Sequence, residues 1–133
     1  MKNFKVSVYI VMLILTLMLT GCASNDITPT IYKTMYIAGS GYDTGMKTVA
    51  SLQKQGIIST EQRLVINEYA NKFYAPYQIA AKSLSVYNKT KDKDVYNQLT
   101  IAITEFIGAW SMFADSVNRF QPGLLGTDLP KIE

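Results

Sequence analysis

Residues 31–52, IYKTMYIAGSGYDTGMKTVASL, carry small or apolar side chains at alternating spacings of four and three residues. The positions are Ile31, Met35, Ala38, Tyr42, Gly45, Val49 and Leu52. Such a heptad spacing places them in one seam along a helix. The other side of that helix is polar and carries Lys33, Ser40, Lys47 and Lys54. The segment therefore predicts an amphipathic helix that packs through its seam.

Two later segments repeat the same spacing. The second seam comprises Ile66, Ala70, Phe73, Tyr77, Ala80, Leu84 and Tyr87, and the third comprises Val95, Leu99, Ala102, Phe106, Ala109 and Phe113. The third segment also has a polar outer stripe of Asn97, Thr104, Ser111 and Asn118. We find no alternation with a period of two in the sequence, which would indicate strands. Short connections favour antiparallel neighbours. The sequence therefore predicts an all-α fold, an antiparallel three-helix bundle with coiled-coil-like heptad seams over residues 29–120.

Capping signals set the predicted ends of the helices. Thr28 before Pro29 is typical of a helix start, and Gly56 is a matching stop. Ser59 and Gln62 have the spacing of a capping box for the second helix. A polar connection over residues 88–94 precedes the third helix, with Asp92 as its expected cap. The sequence Gln121-Pro122-Gly123 ends that helix, and residues 121–133 are predicted to form an irregular C-terminal tail that either folds back on the bundle or is disordered.

A glycine cluster lies inside the first predicted helix, at Gly39, Gly41 and Gly45. Glycine weakens a helix by about 1 kcal/mol relative to alanine, so the cluster could break the helix in two. It could also let a neighbouring element approach closely, because glycine has no side chain. We favour a continuous helix that is locally weak.

The amino terminus has the features of an export signal. Lys2 and Lys5 precede a nearly pure apolar stretch of fourteen residues, 6–19, which is shorter than the roughly 20 residues that a membrane-spanning helix needs. The next residues, Leu19-Thr20-Gly21-Cys22, resemble the lipobox of bacterial lipoproteins. The resemblance implies a signal peptide over residues 1–21, cleavage before Cys22 and diacylglycerol on its thiol. The alternative is a free thiol near the end of an uncleaved membrane helix.

The same resemblance implies a location. In Gram-negative lipoproteins an aspartate after the cysteine favours retention in the inner membrane, whereas here Ala23 and Ser24 follow Cys22. We therefore expect the periplasmic face of the outer membrane in a Gram-negative source, and the outer face of the cytoplasmic membrane in a Gram-positive one. Residues 22–28 would form the lipidated cysteine and a polar tether of about 20 Å at full extension.

The composition excludes several classes of function. Of the 13 basic side chains in the 133 residues, Lys2 and Lys5 belong to the predicted signal peptide, which leaves eleven against ten acidic ones. Nucleic-acid binding needs a clustered basic excess, so no nucleic-acid partner is expected. The chain has no histidine and one cysteine, which removes imidazole catalysis and any thiolate metal cluster within one chain. We expect no metal and no cofactor.

Two further candidates for chemistry fail on spacing or position. Residues 39–48, GSGYDTGMKT, suggest a phosphate loop, but Met46 separates Gly45 from Lys47, so the spacing of a nucleotide loop is not met. Glu105 lies among apolar neighbours, where a buried carboxylate would indicate a functional site. It falls beside the seam, however, where a charge at the rim of the bundle is common. We therefore expect no nucleotide, no catalytic residues and no enzymatic activity.

A final pattern concerns Tyr96, Ile103, Trp110 and Val117, which recur every seven residues along the third helix. They either widen the apolar face that packs in the core or form a partner-binding stripe. The sequence thus predicts a lipid-anchored cell-envelope lipoprotein that acts as a noncatalytic helical protein-interaction module. Its partner would be an envelope protein or a second copy. An alternative is a regulatory, inhibitor or immunity-type lipoprotein, of the kind that phages or mobile elements carry, which blocks one envelope target.

Overall fold

The computed structural model describes residues 26–130 and residue 132. Three helices make up this part of the chain: α1 over Thr28–Lys54, α2 over Thr60–Thr90 and α3 over Lys93–Asn118. The described residues contain no strand. The prediction of an all-α three-helix bundle is confirmed. The predicted signal peptide, Cys22 and the first part of the tether lie outside the described residues.

The three predicted seams form the core of the bundle. Every seam position is buried or half-buried, and the largest fully buried side chains include Phe73, Phe106 and Phe113. The lysines of the outer stripe on α1 are exposed. Heptad spacing therefore predicted correctly which side of each helix is packed in the core. Burial of these side chains supplies the main force that holds the helices together.

The connection between α1 and α2 follows the predicted signals. Gly56 has a φ of +72°, and its N–H donates to the Gln53 carbonyl at 3.0 Å. The N–H of Ile57 donates to the Leu52 carbonyl, also at 3.0 Å. These two bonds satisfy two of the carbonyls left free at the end of α1. The Ser59 hydroxyl accepts from the backbone N–H of Gln62, whose side chain accepts from Ser59 in return.

Two predicted boundaries were wrong in detail. Thr28 does not precede α1 but begins it, and the carboxylate of Asp26 accepts the Thr28 backbone N–H at 3.1 Å. The polar connection predicted over residues 88–94 shrinks to Lys91 and Asp92, because α2 continues to Thr90. Lys91 has a φ of +53°, and Asp92 caps α3 as predicted, accepting from two backbone N–H groups.

The glycine cluster lies in an unbroken helix, and aromatic side chains press against it. A Cβ added to Gly41 would lie 2.5 Å from Cη2 of Trp110, and one added to Gly45 would lie 2.9 Å from Cζ of Phe113. A Cβ on Gly39 would collide with the hydroxyl of Tyr77. Large rings therefore fill the space beside α1, and α2 and α3 lie closer to each other than either lies to α1.

The residues after α3 fold back along the bundle, which settles the alternative that the sequence left open. Leu125 and Leu129 are buried. The side chain of Asn118 both donates to the Leu125 carbonyl, at 2.8 Å, and accepts from its N–H, at 3.0 Å. The indole of Trp110 donates to the Gly126 carbonyl at 2.8 Å, and the Thr34 hydroxyl on α1 donates to that of Pro130 at 3.2 Å. We call residues 119–130 the return segment.

The packing of aromatic rings against α1 predicts different effects on stability for alanine at Gly41 in α1 and at Gly108 in α3. Gly41→Ala should lower the free energy of unfolding by about 1–3 kcal/mol, because its methyl group overpacks against Trp110. Gly108→Ala should leave that free energy unchanged or raise it by up to about 1 kcal/mol, since alanine favours helix and nothing lies within 4 Å of a Cβ there. Urea denaturation measures both. Equal effects of the two substitutions would contradict the assigned packing.

The two hydrogen bonds of Asn118 predict that this side chain holds the return segment against the bundle. Asn118→Ala removes both hydrogen bonds to the backbone of Leu125 and should destabilise the protein by about 1–2 kcal/mol. The amide hydrogen of Leu125 should then exchange with solvent faster than in the unmodified protein, as measured by hydrogen–deuterium exchange. Asn97→Ala, on the exposed side of the same helix, is the matched control and should leave that amide unchanged. Unaltered protection in the Asn118→Ala variant would rule out this role for Asn118.

Candidate interaction surfaces

The stripe that the sequence singled out on α3 is mostly core. Trp110 is 2% exposed, Ile103 and Val117 are also buried, and only Tyr96 is half-buried. The Trp110 ring lies 5.3 Å from that of Phe73, centroid to centroid, and its outer edge is covered by the return segment. The interpretation of this stripe as a partner-binding surface is therefore corrected. The residues form a wide apolar face because α3 packs against two helices and the return segment.

Exposed aromatic side chains occur instead between α1 and α2. Tyr36 is 77% exposed, Tyr32 is 51% exposed and Tyr74 is 38% exposed. Tyr32 and Tyr36 lie one turn apart on α1, and the half-buried Tyr77 faces them from α2. We call these four tyrosines the tyrosine face. Its centre is a groove of about 350 Å³ that is lined by Tyr32, Met35, Tyr36, Tyr77, Ala81, Leu84 and Ser85.

Contacts with neighbouring residues hold side chains of the tyrosine face in place. The Tyr77 hydroxyl donates to the carbonyl of Met35 at 3.1 Å, which Gly39 permits because it has no side chain. The ring of Tyr74 stacks on that of Tyr42, with centroids 5.0 Å apart and planes 14° apart. On the rim, the Asn88 amide donates to the Tyr32 hydroxyl. Several rings are thus held in place before any partner arrives.

Such a surface is suited to binding a protein. Tyrosine offers a large apolar ring and one hydroxyl, and it loses little conformational freedom on binding. Tyrosine is also enriched among the residues that dominate binding energy at interfaces. This face was not predicted from the sequence. The available signal was the presence of Tyr32 and Tyr36 outside the seam of α1, on the side that a bundle helix leaves to solvent.

A second groove lies between the amino-terminal parts of α1 and α3 and has a volume of about 570 Å³. We call it the isoleucine groove. It includes the two stripe residues nearest the start of α3, Tyr96 and Ile103. Its lining consists of Ile27, Ile31, Tyr96, Thr100, Ile103, Thr104, Ile107 and Ile132.

The polar and charged groups of the described residues offer little chemistry. Glu105 is exposed, as expected of a charge at the rim. The ion pairs Lys47–Asp43 and Lys72–Glu68 are exposed pairs within one helix, with N–O distances of 2.6 and 2.7 Å, and contribute little to stability. Over residues 26–130 and 132, no three acidic, histidine or cysteine side chains come together as a possible metal site.

Comparison with known proteins gave no relative: no family model, no curated protein and no solved structure matches this chain. Among the described residues, no helix is both long enough and apolar enough to cross a membrane. The interpretation of function therefore depends on the residues themselves.

The packing of Tyr77 predicts a loss of stability in alkaline solution. Burial, together with the neighbouring Tyr74, raises the pKa of Tyr77 above its ordinary value of 10.0. A raised pKa means that the folded state disfavours the tyrosinate. The stabilising contribution of the neutral phenol is therefore complete below pH 10 and is lost as the pH rises through the higher pKa of the folded protein.

Tyr77→Phe should therefore make the fall in unfolding free energy between about pH 9 and pH 11 less steep. At neutral pH the same variant should be less stable by about 1 kcal/mol, because it lacks the hydrogen bond to Met35. Denaturant titrations over this pH range measure both effects. Tyr36→Phe, at an exposed position, is the control and should keep the original slope. A Tyr77→Phe profile identical to that of the control would contradict the prediction.

Proposed function

We propose that this chain is a lipid-anchored protein of the bacterial cell envelope that binds a protein partner through the tyrosine face. The single observation that carries the interaction is the set of exposed tyrosine rings, of which Tyr36 is the most exposed, around a groove whose walls the core holds in place. Isolated exposed apolar side chains are common on folded proteins. Here, by contrast, several rings converge on one groove.

The proposed anchor rests on the lipobox resemblance of Leu19-Thr20-Gly21-Cys22. Lipid on Cys22 would hold α1 near the bilayer, because Asp26 follows the cysteine by only four residues. Tyr36 lies eight residues after the start of α1, which is about 12 Å along the helix. A partner of the tyrosine face would therefore be a membrane protein or a protein at the membrane surface. The location is the periplasmic face of the outer membrane in a Gram-negative cell, or the outer face of the cytoplasmic membrane in a Gram-positive one.

A protein fits this face better than other classes of partner. No charged side chain lines the groove of the tyrosine face, whereas nucleic-acid binding depends on charged contacts that neutralise phosphates. The groove of about 350 Å³ is small and open at the surface, which suits side chains inserted from a second protein. We propose a binding role without catalysis. The same surface is compatible with a module that blocks one envelope target.

Site-specific photo-crosslinking in intact cells tests this proposal. A photoreactive phenylalanine analogue in place of Tyr36, in the full chain, should yield one discrete protein adduct that mass spectrometry identifies. The same analogue in place of Ile101, which is 60% exposed on α3, is the matched control and should not yield that adduct. Tyr32→Ala should reduce the Tyr36 adduct at least fivefold, since a hot-spot side chain is worth about 1 kcal/mol or more. An adduct of twice the chain's own mass would identify the partner as a second copy.

The anchor is tested in the same cells with Cys22→Ala. This variant should carry no lipid by mass spectrometry and should be misprocessed or leave the membrane fraction. Lipid still bound to the Cys22→Ala form would contradict the proposed anchor. Equal adducts from the Tyr36 and Ile101 positions, or none from either, would contradict the proposed binding face.

A further inference from the structure

The isoleucine groove lies at the end of the bundle where α1 and α3 begin. On α3 its lining extends from Tyr96 to Ile107, which is eleven residues or about 16 Å along the helix. On the side of α1 it begins at Ile27, the residue before the helix and five residues after Cys22 in the sequence. Five extended residues span at most about 18 Å. Whatever is attached to Cys22 is therefore within reach of the groove.

The lining favours a ligand without polar groups. No charged side chain lines the groove. Its two threonines already use their hydroxyl hydrogens within α3: Thr100 donates to the Tyr96 carbonyl and Thr104 to that of Thr100, each at 2.9 Å. The Tyr96 hydroxyl is the one other polar group among the lining side chains. A peptide in this groove would bring backbone N–H and C=O groups that must lose water and find few partners, which is costly. A hydrocarbon chain brings no such groups.

We propose that one acyl chain of the lipid on Cys22 lies in the isoleucine groove, between α1 and α3. The inference rests on the proposed lipid modification of Cys22 and adds a position for one of its chains. An acyl chain that moves from the bilayer interior into an apolar groove exchanges one apolar environment for another, so close fit decides its position. The remaining chain or chains stay in the membrane and keep the protein attached.

A chain in the groove would also fix the orientation of the bundle. Without it, attachment through the single residue Cys22 does not set how the bundle is turned relative to the membrane. With it, the first turns of α1 and α3 are held against the membrane surface, and the tyrosine face, between α1 and α2, points along the membrane. The lipid anchor would then set the direction in which the tyrosine face meets a partner.

Photoreactive lipid tests the proposal on the full-length protein. Cells that process lipoproteins are supplied with a sixteen-carbon fatty acid that carries a diazirine, and the protein is purified in detergent micelles and irradiated. Peptide mass spectrometry should find the lipid on Cys22 joined to the tryptic peptide of residues 94–119, which contains the α3 side of the groove. Thr100→Trp, which fills the groove, should lower this internal crosslink at least fivefold. Asn97→Trp, on the exposed side of α3, is the matched control and should leave it unchanged.

The possible failures are distinguishable. If the peptide that contains Cys22 has no lipid mass, the proposed anchor is wrong. If Cys22 carries the photoreactive lipid but the label reaches only detergent, or reaches residues 94–119 only from free phospholipid, the groove proposal is wrong and the anchor stands. Circular dichroism verifies that the Thr100→Trp variant is folded. Should it unfold, Thr104→Phe fills the same groove and takes its place, and an undiminished crosslink in the folded variant overturns the proposal.

Discussion

The bundle depends on large aromatic rings that pack against a helix surface without side chains. Gly39, Gly41 and Gly45 leave the backbone of α1 open, and Tyr77, Trp110 and Phe113 press against it. These rings stack on Phe73 or meet it edge to face. Because Phe73 and Phe113 also contact the Tyr42 ring of α1, one aromatic cluster connects all three helices. A helix weakened by three glycines is therefore held in place by tertiary packing, which commonly outweighs intrinsic helix propensity.

The two surfaces considered for binding follow from the same packing. Wide rings separate α1 from α2 and α3, so shallow grooves remain on either side of α1. On the α2 side, three tyrosines line the groove, and the hydroxyl of one of them, Tyr77, donates to the Met35 carbonyl. On the α3 side, the return segment covers the part of the groove next to Trp110 and Gly45 and leaves open the part near the start of α1. Both grooves have apolar walls with a few hydroxyl groups, and no charged side chain lines either of them.

Periodicity and capping residues predicted the fold well because both act over short stretches of sequence. The seam positions, the capping box at Ser59, the stop at Gly56 and the Asp92 cap all depend on neighbours within one or two turns. The return segment could not be predicted in this way, since it is held by long-range contacts such as that of Thr34 with Pro130. The stripe on α3 was ambiguous for the same reason: spacing shows that Trp110 and Val117 share a side of α3, but not that α1, α2 and the return segment together cover it. The tyrosine face could not be predicted from spacing either, because spacing does not show which helix surfaces remain without a packing partner.

The return segment also determines at which end of the bundle the described part of the chain finishes. A chain that passes three times along a bundle would leave its two ends at opposite poles, but residues 119–130 run back toward the start of α1, so that Pro130 meets Thr34. The opposite pole then holds only the α1–α2 connection and the turn after α3. In the proposed orientation this pole faces away from the bilayer and contains no chain terminus of the described part. Insertions there would extend into the aqueous compartment without passing near the anchor or either groove.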